Sequence, residues 1–405
     1  MKLSIRGLYF DGRKDKTVAI SLDLKRRTSS VEEHIVLIEE PRSFYLGYVS
    51  SVSSSAENIF RSIIDFFETS SKSLENIVAV GCDGTVTNTG HNSGIIVRLE
   101  QHIKAPIHWF ICQLHANELP LRHLIQHLDG NTRGPNMSGV IGKALQSCEN
   151  LPRAKFKTIN VVLPEISREI LSTDKFYLYD ICKFVSTGVC DDRFLNRHPG
   201  KLVHSRWLTT ANPILRLYVS TQDPSNYLKI LVEFVAKVYV PMWFAVKTKP
   251  FCIYGAKHLF DTIKRSRYLP LGLKNVLDPV IQRNGYFGHP ENMLLTMLTD
   301  ERKTIRELAV RRIIKIRNQT DLHTEVRAFI LPKFNFDAED YCDLLQTWQE
   351  FPVTKPPLLK QVSEDDLQEI VKDYSNSLVI TEIMQFPCNT QAVKRAVKLV
   401  TESSL

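Results

Sequence analysis

The sequence predicts an α/β protein built on a mixed β-sheet, and three observations lead to this fold class. Apolar runs and amphipathic helical segments follow one another in the order β-β-β-α-β-α-β-α over the first 130 residues. The most apolar run, IVAVGC at 77–82, stops abruptly at Asp83-Gly84. A long and mostly helical segment comes next. This pattern predicts a carboxylate at the end of a central strand, where open α/β sheets usually place catalytic or metal-binding groups.

The first three predicted elements are strands. Leu3 to Phe10 predict a strand that ends in Asp11-Gly12, and Lys16 to Leu24 predict its return partner across the polar turn GRKDK. A third strand is predicted from His34 to Ile38, with an extension into 44–49. Asp11, like Asp83, is thus predicted at the end of a strand.

The following elements alternate between helix and strand. Three serines at 53–55 followed by Glu57 predict the start of an amphipathic helix. A second helix is predicted from about Ser93 to Ile103, and a short strand from Ile107 to Ile111. The last helix of this region carries Cys112, His115, Asn117 and Leu119.

Four segments are predicted along the chain. Residues 1–130 form the sheet core, and 131–330 form a helical insertion that begins in the polar loop DGNTRGPNMSG. Residues 331–385 form an extended connector with a short helix, and 386–405 form a C-terminal helix that returns to the core. The large helical segment is thus inserted before the final helix.

Composition favours an intracellular partner of polyanions. The net charge is +8 and 43% of the residues are hydrophobic, enough for a sizeable core. We expect no secretory signal, because the N-terminus begins directly with a predicted strand, and the eight cysteines occur singly. No apolar run reaches membrane-spanning length. A nuclear or cytoplasmic protein that is not secreted and has no membrane partner is predicted.

Two sequence blocks, GCDGTVTNTG and HWFICQLHANELPLRHL, resemble the core of the hAT superfamily of cut-and-paste DNA transposases, and in particular divergent transposon-derived relatives. The second catalytic aspartate of that superfamily lies in a D-x-x-x-x-N segment, matched here by Asp83 and Asn88. A C-x-x-H pair follows, matched by Cys112 and His115. Later similarity is found in SRW near Arg206 and in TQAVKRAVKLV. The resemblance implies the ribonuclease H-like fold of DDE transposases for residues 1–130, and the order of predicted elements allows it.

In that fold the first and fourth strands are neighbours, so the resemblance places Asp11 opposite Asp83. Two facing carboxylates suit a metal-dependent nuclease, which holds Mg²⁺ or Mn²⁺ through acidic oxygens. Asp15 competes with Asp11 for the first position, although its polar surroundings favour a solvated turn. The simpler alternative is that both Asp-Gly pairs cap turns.

The third acidic position departs from the superfamily pattern. A glutamate is expected near the C-terminus, but the matching segment has Lys394 before Arg395. A protonated lysine cannot bind a divalent cation and repels it. Glu402 and Glu291 are alternative acids, although neither lies at the position of the motif. Impaired catalysis is therefore predicted.

The C-x-x-H pair does not by itself predict zinc. A structural zinc site takes four ligands, and no second pair follows at the spacing of a zinc finger. Cys82 and His91 are the alternative ligands for a site assembled in three dimensions. We favour packing and hydrogen-bonding roles for Cys112 and His115, with His115 also a candidate phosphate contact.

DNA-contacting residues are predicted in two places. Arg206 and Trp207 resemble the R-W motif of the superfamily, whose tryptophan can stack on an extruded base; core packing of Trp207 is the equal alternative. The basic helix ERKTIRELAVRRIIKIR presents cations that suit a DNA backbone, although a solvated face is the commoner explanation. Its candidate residues are Arg306, Arg311, Arg312 and Lys315.

Three functions compete at this point. The first is a transposon-derived protein that binds DNA as its partner, has impaired catalysis and is able to form homo-oligomers. The second is an active transposase that uses Mg²⁺ or Mn²⁺ and another glutamate, with no zinc. The third is a domesticated scaffold for protein partners.

Overall fold

The computed structural model describes residues 2–21, 26–133, 136–189, 194, 197–199, 207–318, 329–346, 348, 358–359, 362–376, 382 and 385–389. Within them the chain is a mixed α/β protein with a five-stranded sheet that contains parallel and antiparallel pairs. The predicted fold class is confirmed at this level. Lys394 and Glu402 lie outside the described residues, as do Arg206 and the predicted C-terminal helix beyond Asn389.

Two compact units divide the chain. The first contains the described residues within Met1–Gln113, Pro250–Lys257 and Gly285–Leu405. The second contains those within Leu114–Lys249 and His258–Asn284. These units do not follow the predicted segments 1–130, 131–330, 331–385 and 386–405, because chain after residue 284 packs with the sheet. The helical insertion and the sheet unit are therefore interleaved in sequence.

The strands lie in three sheets. Their bounds are β1 Leu3–Ser4, β2 Gly7–Ser21, β3 Arg26–Glu40, β4 Phe44–Ser50, β5 Lys72–Ser73, β6 Ala79–Cys82, β7 His108–Ile111, β8 Thr132–Arg133 and β9 Asn136–Met137. The main sheet has the order β4-β3-β2-β6-β7. Its first two neighbouring pairs are antiparallel, and the β2-β6 and β6-β7 pairs are parallel. The first long strand is thus central and lies beside the strand that carries the GCDG segment.

The prediction of a turn after Asp11 is wrong. Strand β2 continues without interruption from Gly7 to Ser21, and its far half pairs with the first half of β3. Residues 16–21 of the predicted partner strand Lys16–Leu24 are therefore the continuation of the same strand, and the rest of that prediction lies outside the described residues. Polar side chains do not end a strand whose backbone hydrogen bonds are satisfied by a neighbour. The order β-β-β is retained because β3 and β4 supply the second and third strands.

The helices follow the predicted order in the first half of the chain. Their bounds are α1 Ala56–Thr69, α2 Val86–Thr89, α3 Ile95–Ile103, α4 Gln113–Asp129, α5 Val140–Leu145, α6 Thr173–Thr187, α7 Leu208–Val219, α8 Asn226–Phe234, α9 Val240–Thr248, α10 Gly255–Ser266, α11 Leu271–Asn284, α12 Pro290–Leu298, α13 Lys303–Arg317 and α14 Glu364–Lys372. A π-helical stretch, Val235–Tyr239, joins α8 to α9. None of the described helices is both long and apolar enough to cross a lipid bilayer.

The core of the first unit forms on one face of the sheet. Alternate residues of β2, Leu8 and Phe10, are buried there with Val80 of β6 and with the apolar side of α1. Helix α1 begins where the sequence predicts, since the Ser55 side chain accepts a hydrogen bond from the Asn58 N–H. Burial on this face fixes the register of β2, and hence which of its residues point to the opposite face.

Candidate functional site

Asp11 and Asp83 follow the paired stretch of two neighbouring parallel strands. The parallel register pairs Gly7 with Ala79 and Tyr9 with Gly81. Tyr9 and Gly81 are the last pair of this ladder, and Asp11 and Asp83 each follow that pair by two residues. Asp83 follows the last residue of β6, whereas Asp11 lies inside the longer β2. Both predicted carboxylates therefore lie in the chain segments near the end of β6.

Both carboxylates lie close enough to the Cys82 thiol to affect its pKa. Burial, then the charges of Asp83 and Asp11, raises the pKa of the Cys82 thiol well above its usual range. Both aspartates are half-buried, so their carboxylates retain access to solvent. An accessible acidic pair at the end of a parallel strand can bind a cation or a hydrogen-bond donor.

The local turn holds the Asp83 carboxylate in place. Its Oδ1 atom accepts hydrogen bonds from the Thr85 N–H at 3.1 Å and from the Thr85 hydroxyl at 2.8 Å. The Asn88 side-chain amide donates a third hydrogen bond to Oδ1 at 2.6 Å. The spacing of D-x-x-x-x-N has a direct physical reason, because α2 starts at Val86 and turns Asn88 back toward Asp83. Asn88 is therefore a positioning residue for this carboxylate.

Close packing of aromatic rings supports the face of the sheet that carries the two aspartates. A Cβ atom added to Gly81 would overlap the Tyr9 ring, and one added to Gly7 would overlap the ring of Phe386. Glycine is needed at both positions because each ring lies directly on the strand. The Tyr9 hydroxyl is buried without a hydrogen-bond partner among the described residues. Burial, followed by the charges of nearby cysteines, raises the pKa of Tyr9 well above its usual range.

Cys112 lies at the end of β7, beside this face. Its N–H donates to the Cys82 carbonyl oxygen at 2.8 Å, and the Gln113 N–H donates to the Cys388 carbonyl oxygen at 2.9 Å. The Cys388 N–H donates in turn to the Pro250 carbonyl oxygen at 2.7 Å. Cys112 is therefore part of a backbone hydrogen-bond network that joins residues from distant parts of the chain.

Sequence reasoning missed Tyr286. This buried residue lies near the Asp83 segment, since its hydroxyl makes a hydrogen bond with the Thr89 side chain. Burial raises the pKa of Tyr286, the Thr89 hydrogen bond lowers it, and the charges of Cys82 and Asp83 raise it. About 200 residues separate Tyr286 from Asp83, and the segment GYFGHPEN has no local pattern that would have indicated the contact.

The donor set fits one hard divalent cation. Mg²⁺ is commonly held by one or two carboxylates, with water and phosphate oxygens completing its ligands. Asp11 and Asp83 would hold such an ion, which would neutralise charge on a bound phosphate. Within the described residues, however, no group of three His, Cys, Asp or Glu side chains has the arrangement of a metal site. A two-metal centre would need an additional acid from elsewhere.

The second half of the C-x-x-H block lies in the second unit. His115 is half-buried in the first turn of α4, and its predicted phosphate contact stays a prediction. Asn117 is buried, and its amide donates to the Tyr239 carbonyl oxygen at 3.0 Å. Asn117 therefore fixes α4 to the π-helical stretch and has a structural role in this unit.

Trp207 is buried rather than exposed. Only 6% of its surface is accessible, at the residue preceding α7. A ring in this state is covered by protein and is not presented to a base. The structure therefore favours the core-packing alternative for Trp207, while its neighbour Arg206 lies outside the described residues.

Helix α13 presents fewer cations than its sequence suggests. Arg306 is buried, and its guanidinium donates to carbonyl oxygens of Asp300, Glu301, Ile370 and Val371. Its inclusion among DNA-contacting residues is corrected, because those donors already have partners.

The remaining candidates on α13 differ in exposure. Arg312 is half-buried, with its guanidinium 3.7 Å from the centre of the Trp348 ring. Burial lowers the pKa of Arg312 to about 10. Arg311 and Lys315 are exposed and lie one helical turn apart. These two residues are therefore the only ones of the four predicted cations that are fully presented to solvent.

Glu291, the alternative third acid, belongs to a different cluster. It is buried, its Oε1 atom has no hydrogen-bond partner within the described chain, and its Oε2 atom is 3.9 Å from His289 Nδ1. Burial, then the charge of Glu100, raises the pKa of Glu291 well above its usual range. A buried and protonated acid of this kind is a poor substitute ligand.

Comparisons with known proteins give no family assignment. No protein-family model matches the chain, and searches of curated proteins and of solved structures found no match.

Proposed function

We propose that the chain is a transposon-derived DNA-binding protein with a ribonuclease H-like core, similar to hAT transposases, in which catalysis is impaired. The proposal is carried by the parallel pairing of β2 with β6, which Asp11 and Asp83 follow by two residues each, and by the charge of both aspartates acting on the Cys82 thiol. Two short sequence blocks alone give a resemblance. The metal-dependent chemistry that the resemblance implies also requires two acids at one edge of a sheet.

The strand order supports a ribonuclease H-like core. That fold requires the first strand of a β-β-β-α-β-α-β series to lie next to the fourth, and here β2 lies next to β6. It also requires the first three strands to form an antiparallel series, as β2, β3 and β4 do. Helices α1 and α3 cover the same face of this sheet. The arrangement thus agrees with the fold that the sequence blocks imply.

Catalysis is impaired in this proposal because Lys394 stands where the resemblance expects the third acid. The ammonium group of lysine is a donor only and cannot serve as a metal ligand while it is protonated. Of the two alternative acids, Glu291 is a poor replacement because it is buried beside His289 and Glu100, and Glu402 lies outside the described residues. With two carboxylates the site would hold one divalent cation, Mg²⁺ or Mn²⁺, without the second that an in-line displacement uses. Binding of DNA without cleavage is the expected activity.

DNA binding draws support from charge. The net charge is +8, and Arg311 and Lys315 remain exposed on α13. A polyanion such as DNA releases counterions when a basic protein neutralises its phosphates, so binding weakens as salt rises. A nuclear location and a homo-oligomeric state are part of the same proposal, since both belong to the function that the resemblance implies.

A salt titration tests the proposed DNA binding. Fluorescence anisotropy with a labelled 30-base-pair duplex at several salt concentrations should show binding that weakens steeply with salt. The Arg311→Gln/Lys315→Gln variant should lower the slope of log affinity against log salt by about two, with about 0.9 expected for each phosphate that is no longer neutralised. The control is Lys104→Gln, on an exposed residue that follows α3. Undetectable duplex binding at low salt would remove the proposal.

A further inference from the structure

A cluster of basic side chains lies on two helices of the second unit. Helix α4 contributes Arg122 and His123, and the last turn of α11 contributes Arg283. His123 joins the two helices, because its Nε2 atom lies 3.0 Å from an Nη atom of Arg283. Arginine can only donate, so the imidazole accepts this hydrogen bond through an unprotonated Nε2. We call Arg122, His123 and Arg283 the α4–α11 basic cluster.

The cluster has an excess of positive charge. Partial burial, then the charges of Arg283 and Arg122, lowers the pKa of His123 below its usual range. Both guanidinium groups are therefore close enough to the imidazole to disfavour its protonation. Two arginines repel one another across a neutral histidine, and this arrangement is unfavourable unless an anion joins it.

No acid compensates this charge in the part of the chain that the structure describes. Neither Arg122 nor Arg283 has a carboxylate within salt-bridge distance there, although Glu118 lies one helical turn before Arg122. Other arginines of this unit have partners at their terminal nitrogens: Arg267 pairs with Asp278, and an Nη atom of Arg216 donates to carbonyl oxygens, although the Arg216 Nε is buried without a partner among the described residues, as is that of Arg122. The cluster is thus unlike the ordinary arginines around it.

A buried donor points to a missing acceptor. The Arg122 Nε atom is buried and has no hydrogen-bond partner among the described residues, while the side chain as a whole is partly exposed. A buried donor without an acceptor costs about 1–3 kcal/mol. The negative end of the α11 dipole favours Arg283 in its last turn, but it offers nothing to Arg122 on another helix. A negatively charged group at the exposed ends of these side chains would offset the positive charge of both guanidinium groups.

We propose that the α4–α11 basic cluster binds a phosphate group. Guanidinium groups match phosphate oxygens in a fork of parallel hydrogen bonds, and an unprotonated His123 orients Arg283 for this contact. The phosphate belongs to the DNA backbone, so this assignment rests on the proposed function. Inorganic phosphate has the same chemistry and is the second source that an experiment must separate.

The decisive variant is Arg122→Gln/Arg283→Gln in the full chain. Its matched control is Lys143→Gln/Lys183→Gln, which removes the same charge from exposed positions of the same unit. Removal of two phosphate-binding guanidinium groups lowers the salt slope of duplex binding by about two and weakens binding at low salt roughly tenfold or more. The control variant should keep the wild-type slope. Isothermal titration with inorganic phosphate is performed on the same three proteins.

The outcomes separate the two proposals. If the wild type binds duplex DNA and the arginine variant alone has a reduced slope, the cluster is a DNA phosphate site. If all three proteins bind DNA alike and phosphate binding is also unchanged, the inference is overturned while the proposed function stands. If the wild type does not bind DNA, the proposed function falls. Phosphate binding that depends on both arginines would then support a site for the free anion, and its absence would overturn the site as well.

Melting temperatures distinguish phosphate binding by the α4–α11 basic cluster from a structural role of the same residues. Removing like charges relieves repulsion, so the melting temperature of the arginine variant should equal or exceed that of the wild type. Arg122→Lys/Arg283→Lys keeps the charge without the fork, so it should keep most of the salt slope while binding inorganic phosphate more weakly. A large fall in melting temperature in both variants, with phosphate affinity unchanged, would contradict the proposal.

Discussion

Two pairs of acidic side chains in the first unit differ in nearly every physical respect. Asp11 and Asp83 are half-buried where β6 ends, and Asp83 accepts three hydrogen bonds from its own turn. Glu100 and Glu291 are buried, and burial is the main cause that raises the pKa of each. The first pair remains available to a cation, whereas the second is held in the interior. Sequence motifs single out Asp11 and Asp83, give Glu291 only as an alternative acid away from the motif position, and do not select Glu100.

The comparison shows why the neighbours of an acid decide its chemistry. Glu100 accepts hydrogen bonds from the Ile107 N–H and the Trp109 indole, each at 3.1 Å, and burial still raises its pKa to about 7. Burial also lowers the pKa of His108 and that of His289 to about 3, so both imidazoles are neutral at neutral pH. Burial therefore disfavours the charged form of every titratable group in this interior cluster.

The largest expected effect is a pH-dependent one at Glu100. Its pKa rises from 4.5 to about 7 on folding, so its contribution to stability is complete below pH 4.5 and is lost as pH rises through 7. Glu100→Gln does not titrate. Its free energy of unfolding relative to the wild type should therefore increase by roughly 3 kcal/mol between pH 4 and pH 8, from 1.36 kcal/mol per pKa unit.

Urea unfolding at several pH values measures this difference. The wild type alone is less informative, because the lowered pKa of His108 and of His289 gives a slope of opposite sign between pH 6.5 and 3. Glu75→Gln, at an exposed position, is the control and should differ from the wild type equally at each pH. A relative stability of Glu100→Gln that does not change with pH would contradict the assignment of a buried, protonated Glu100.

A smaller effect is expected at Asp83. Asp83→Ala removes the acceptor of three hydrogen bonds and should lower the free energy of unfolding by about 2 kcal/mol. Asn88→Ala removes one of these bonds and should cost about 1 kcal/mol. Asp83→Asn keeps an Oδ1 acceptor and should be closer to the wild type than Asp83→Ala. Equal stability of the alanine and asparagine variants in urea would show that the turn does not depend on this acceptor.

The smallest effect separates the two pairs directly. At about 10 mM Mn²⁺, with a dissociation constant on the order of 1 mM, the wild type should gain about 1 kcal/mol of stability by mass action. Asp11→Asn and Asp83→Asn should each lose this gain in a thermal melt, while Glu291→Gln should keep it. Loss of the Mn²⁺ effect in Glu291→Gln alone would place the cation in the interior cluster instead.

Local features of the first 130 residues could be predicted from sequence. The apolar run before Asp83 and the serines before α1 carry their own signals, and the structure has β6 and α1 at those places. The polar half of β2 carries no such signal, because its strand conformation depends on pairing with β3. Partner strands, rather than local propensity, decide such a segment.

Exposure could not be predicted on the basic helix. Arg306 and Arg311 are five residues apart in similar sequence, yet carbonyls near the end of α14 take up the Arg306 guanidinium while Arg311 is exposed. Tyr286 near Asp83 and Arg283 near His123 are likewise contacts between distant parts of the chain. A pattern with a period of 3.6 residues identifies a helix but not what packs against it.

The central claim is that Asp11 and Asp83 form an acidic pair whose third partner has been replaced by Lys394. The most direct measurement is nicking of supercoiled duplex DNA with Mg²⁺ or Mn²⁺ by the wild type, Lys394→Glu and Lys398→Glu, which makes the same charge change four residues later. We expect nicking by Lys394→Glu alone, and its loss when Asp83→Asn is added. Nicking by the wild type that survives Asp83→Asn, or equal activity of the two glutamate variants, would contradict the claim.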